Sequence, residues 1–85
     1  MSEKPFTVSV DGALDEAGDW VVTATATFAE GADRAALRDQ VRVVLLQGII
    51  REGLKGRALG KKVARVILDE GNGPQVVHPS VLGLP

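Results

Sequence analysis

The stretch from Asp33 to about Leu54 constrains this chain more than any other, because it reads as a helix that is apolar on two sides. Asp33 supplies the start: its carboxylate can accept a hydrogen bond from the free N–H groups of a first helical turn. At 3.6 residues per turn, Leu37, Val41, Val44, Leu45 and Gly48 fall within one arc of about 100°, with Ile49 just beyond it. Val43, Leu46, Ile50 and Leu54 form a second arc on roughly the opposite side. Arg38 and Arg42 separate the arcs on one flank, and Gln40, Gln47 and Arg51 on the other. A helix lying on one sheet needs a single apolar arc. The second arc therefore either lies in the chain's own core, beneath the C-terminal tail, or is the interface of a homo-oligomer.

The flanking segments read as strands. Phe6, Val8 and Val10 alternate with Thr7, Ser9 and Asp11, the pattern of a half-buried strand. Residues 11–19 follow as an acidic hairpin loop with two glycines and four acids. From Trp20 to Ala29 the alternation is clearest, with Trp20, Val22, Ala24, Ala26 and Phe28 on the core face and threonines on the solvated one. The small Ala24 and Ala26 leave room for a close helix crossing, and Gly48 is the helix residue expected to meet them. After the helix, Gly53 or Gly56 is expected to take the left-handed stop conformation. A basic, Gly-rich loop over 53–62 leads into a third strand, Val63 to Glu70, interior to the sheet. Asn72-Gly73 suits a type I′ hairpin turn into a short fourth strand over 75–78, and residues 79–85 form an apolar tail. The order is ββαββ. It predicts one small α+β domain, a four-stranded, mainly antiparallel sheet with one long helix on one face.

Composition points to association as the source of stability. A chain of 85 residues buries only about 60–65% of its unfolded surface, which leaves a marginal monomer. Without cysteine and with one histidine, disulfides, thiolate metal sites and histidine-rich zinc sites are excluded, and no cofactor motif is present. The polar start, Met1-Ser2-Glu3-Lys4-Pro5, does not read as a secretory leader, and Val43–Leu46 is the longest apolar run of the helix. A soluble, cytoplasmic protein with no membrane partner is expected.

Catalysis has little to stand on, and no enzyme activity is expected. The single His78 lies between Val77 and Pro79 with Ser80 nearby, but adjacency in an extended segment lacks the facing geometry and the orienting third group of a nucleophile–base pair. The acidic loop does not follow the spacing of a calcium loop. The glycine–lysine run fails as a phosphate loop, since Lys55 and Lys62 stand where Gly and Ser or Thr are required.

Charge is strongly segregated along the chain. Residues 1–33 hold seven acids against Lys4, a net of −6, whereas residues 34–65 hold nine bases against Asp39 and Glu52, a net of +7. Arg51, Lys55, Arg57, Lys61 and Lys62 form the densest basic cluster and are the candidate contacts to a polyanion. The same cluster would equally serve as a solvated loop, or pair with the acidic hairpin of another subunit. Stacking aromatics, which single-strand binders place on the sheet, are missing from the threonine face. Two functions follow: a non-enzymatic, self-associating binding or assembly module whose interface is Val43, Leu46, Ile50 and Leu54, or a nucleic-acid-binding protein that holds phosphates through residues 51–62.

Overall fold

The computed structural model describes residues 4–84, so Glu3, counted among the acids above, and Pro85, at the end of the tail, lie outside the described residues. Strands β1 (Phe6–Leu14) and β2 (Trp20–Phe28) precede helix α1 (Arg34–Ala58), and β3 (Val63–Asp69) and β4 (Gln75–Val77) follow it. A 3-10 turn over Pro79–Leu82 closes the chain. The fold is α+β, with all four strands in one sheet of order β1-β2-β3-β4. β1 and β2 are antiparallel, as are β3 and β4. β2 and β3 run parallel, because a single long helix carries the chain back to the end from which β2 starts.

The alternations in sequence become the two faces of the sheet. Phe6, Val8 and Val10 turn inward from β1, while Thr7, Ser9 and Asp11 stay exposed. Val22, Ala24 and Ala26 of β2 are buried beneath the helix with Val66 of β3. From the helix, Val41, Leu45 and Ile49 complete the core. α1 packs over β1 and β2 and barely reaches β3. The uncovered part of β3 is met by the tail, whose 3-10 turn contacts β3 and whose Leu82 and Leu84 pack against the core.

Several boundaries differ from those expected, each for an identifiable reason. The acidic segment 11–19 is not all loop: β1 continues to Leu14, opposite Trp20. The turn is compact because Asp15 Oδ1 accepts from the N–H groups of both Ala17 and Asp19, at 2.9 Å each. Asp33 does cap the helix, accepting from the Ala36 N–H at 3.1 Å. The helix then runs past Gly53 and Gly56 and stops at Leu59, where Gly60 takes the left-handed conformation (φ +76°). The expected basic loop over 53–62 is thus mostly helix.

Gly56 has a different task. A Cβ there would sit 2.4 Å from Trp20 Cδ1, so the helix needs a glycine to lie against the indole. Gly48 does mark a close crossing, but over β1: its Cβ would lie 2.6 Å from Val10 Cγ2, so Ala24 and Ala26 are not its partners. Val44, placed in the core arc by its helical angle, is 39% exposed at the margin of the helix beside β1. Asn72 has no positive φ, which rules out the type I′ turn. Asp69 Oδ1 instead holds the β3–β4 loop by accepting from Gly71 and Gly73 N–H, at 2.8 and 3.2 Å. His78 leaves the fourth strand to cap the 3-10 turn.

Two glycines one turn apart in α1 should respond oppositely to the same change. Gly53→Ala has only Val63 Cγ2 at 3.4 Å to accommodate and should stabilise the fold by up to about 1 kcal/mol. Gly56→Ala gains the same propensity but drives a methyl into Trp20, and should cost about 1–3 kcal/mol. Urea unfolding at low protein concentration checks both; equal shifts would remove the role assigned to Gly56.

Candidate functional site

The far side of α1 is set by what fixes its near side. Trp20 is wedged between β1 and the helix: a Cβ on Gly12 would lie 2.4 Å from its Cζ2, as one on Gly56 would from its Cδ1. Its indole N–H donates to the Glu52 carbonyl at 2.9 Å in a buried hydrogen bond. The Glu52 side chain, itself buried, accepts from the Gly12 N–H at 3.1 Å and pairs with Lys55 Nζ at 2.8 Å. Strand, tryptophan and the last turns of the helix are thereby joined by both packing and hydrogen bonds. Sequence reasoning missed Glu52 and Gly56 as contact residues. Both lie on the helical line that continues Val41, Leu45, Gly48 and Ile49, and that line is the signal that would have found them.

With that face fixed, the expected interface residues Val43, Leu46, Ile50 and Leu54 emerge together on the outer side. They are 55%, 37%, 43% and 59% exposed. The tail borders this stripe without covering it. Leu82 lies beside Leu46, and Leu84 beside Ile50 and Leu54. Between the helix end, Val63 and Leu84 an open groove of about 410 Å³ is left, with Arg57, Lys61 and Lys62 along its rim.

The five candidate polyanion contacts are all exposed but do not form one patch. Arg51 and Lys55 face the β1 side of the helix, next to Val10 and Asp11. Arg57, Lys61 and Lys62 gather on the other side, around the groove. Folding also pairs charges that the sequence keeps apart. Arg65 Nη1 meets Asp15 Oδ2 at 3.0 Å, and Arg42 Nε meets Glu70 Oε1 at 3.0 Å. Asp15, in the acidic hairpin, is therefore already engaged within its own chain.

Other chemistry is sparse. His78 Nδ1 lies 2.7 Å from Ser80 Oγ and also accepts from the Ser80 N–H at 3.1 Å, on an exposed surface. That geometry caps a turn, and no third group orients the ring among the described residues. Among the described residues no three His, Asp or Glu side chains gather as a metal site, and no helix is long and apolar enough to cross a membrane.

The Trp20–Glu52 joint has a pH signature. The Lys55 ammonium, with the Gly12 N–H, holds the Glu52 carboxyl below its ordinary value of 4.5, against the opposing effect of burial. The Asp19 N–H and the Arg65 guanidinium hold Asp15 low in the same way. A carboxyl lowered on folding contributes stability above its unfolded pKa and loses it as pH falls through the folded value. Stability should therefore drop between about pH 5 and 3, and Glu52→Gln should lose less over that range than the parent. Urea midpoints across the range measure this; identical acid limbs would show that Glu52 is not held in its charged form by the fold.

Comparison with protein-family models, with characterised proteins and with solved structures finds no match to this chain.

Proposed function

We propose that this chain is a non-enzymatic module that acts by associating with itself through the outer stripe of α1. The observation that carries the reading is the contiguous row Val43, Leu46, Ile50 and Leu54, left exposed on a helix whose opposite face is fully used. Isolated exposed apolar residues are ordinary on a protein surface, whereas a row of four along one helix, bordered by an apolar groove, marks an interaction site. Size supports the same conclusion, since a domain this small has little core and gains stability from a partner. The phosphate-binding reading draws less support. Its five bases lie on two sides of the helix, and Lys55 is already paired with Glu52.

Sedimentation equilibrium tests the proposal. The mass should rise with concentration above the 8.9 kDa of one chain. Ile50→Lys should hold the protein at one-chain mass with a native circular dichroism spectrum, because Ile50 is 43% exposed. Leu45→Lys, at 2% exposure, should instead unfold it. A parent that stays at 8.9 kDa throughout would refute self-association. Binding of duplex DNA at low salt, falling steeply as salt is added, would put the phosphate reading in its place.

A further inference from the structure

We infer that the second copy lies antiparallel along α1, with its Asp39 received by the basic rim around Arg57; this rests on the self-association proposed above. Asp39 and Arg57 are both exposed, and their separation along the helix is about five full turns, so they project on the same line. Between them on that line lie Val43, Leu46, Ile50 and Leu54. The stripe thus begins with an acid and ends with a base. Side by side in parallel, two such stripes set acid against acid and base against base. Antiparallel, each copy's Asp39 meets the other's Arg57, and the same two-fold register sets Leu46 against Ile50.

That register also explains the groove. It brings the partner's Val43 to Gly53, a helix position without a side chain, where Ile50, Leu54 and Leu84 form apolar walls. The partner's Asp39 carboxylate then arrives at the rim, within reach of Arg57, Lys61 and Lys62. Of the three bases in the first half of the helix, Arg38 lies about 100° round the helix from Asp39, on the side of Phe28 and Glu70, and the other two are already engaged. Arg42 is held by Glu70, while Arg34 lies over the Phe28 ring at 5.1 Å and donates to the Gly71 carbonyl. Among the described residues Asp39 and Arg57 have no ion-pair partner within their own chain. An isologous contact of this kind closes as a dimer and leaves no stripe exposed for further growth.

Charge reversal tests the register by sedimentation equilibrium. Asp39→Lys and Arg57→Glu should each weaken the dimer roughly tenfold, since two exposed ion pairs become two like-charge contacts. The double variant Asp39→Lys with Arg57→Glu should restore parental affinity, and the two single variants mixed should form a heterodimer. A dimer indifferent to all three changes would overturn the antiparallel register while leaving self-association standing. A parent that is monomeric at every concentration would overturn both. As a check on geometry, the chain has no native cysteine, so Asp39→Cys alone can be introduced cleanly. In the antiparallel dimer the two introduced thiols are about 27 Å apart and should not crosslink, whereas mixing this variant with Arg57→Cys should give a crosslinked pair. Crosslinking of the Asp39→Cys variant with itself would establish the parallel arrangement instead.

Discussion

The Trp20 side chain lies where strand and helix come closest, and the position of α1 follows from how it is held. Two glycines, Gly12 and Gly56, give the indole flat surfaces to lie against. The Glu52 carbonyl takes its N–H, and the Glu52 carboxylate takes the N–H of Gly12. An aromatic ring buried with its one polar atom bonded gives up little to desolvation, so the joint combines a large apolar contact with fixed geometry. A second close approach, Gly48 on Val10, aligns the middle of the helix with β1. Together these contacts seat α1 towards the β1 edge of the sheet and away from β3. The consequence is a helix with one face buried, a tail that fills the gap over β3, and an apolar stripe that the tail borders without covering.

Much of this architecture is legible in the chain. The element order, the Asp33 cap, the inward face of β2 and the two apolar arcs all express local rules of period and capping. The errors come where a residue's role depends on what stands opposite it. Gly56 looks like a helix stop when only its own backbone freedom is considered; a tryptophan thirty-six positions earlier makes it a contact. Gly48 is matched by residue size to Ala24 and Ala26, although in the fold it meets Val10 of β1. Glu52, which reads only as a charge, is a buried bridge. Val44 shows the same dependence from the other side. Its angle suits the core, but the helix is rotated so that it meets the margin.

The candidate site is legible in half. The stripe Val43, Leu46, Ile50 and Leu54 emerges as one surface because helical angle alone decides it. The basic cluster does not, since its density is that of a flexible loop. Once residues 51–58 are helical, Arg51 and Arg57 project about 120° apart, one beside β1 and the other beside the groove. The segregation of acids and bases along the chain is likewise answered inside the fold, where Asp15 meets Arg65 across the sheet. What remains available to a partner is a narrower charge pattern aligned with the apolar stripe, and alignment of that kind selects orientation as well as partner.

The central claim is that the two sides of α1 have separate roles, one closed within the chain and one closed by a second copy. Methyl NMR across a dilution series reads both sides at once. Resonances of Val43, Leu46, Ile50 and Leu54 should shift with concentration, while those of Val41, Leu45 and Ile49, buried in the core, stay fixed. Shifts confined to the open face of the sheet, or no concentration dependence in any methyl, would contradict the account.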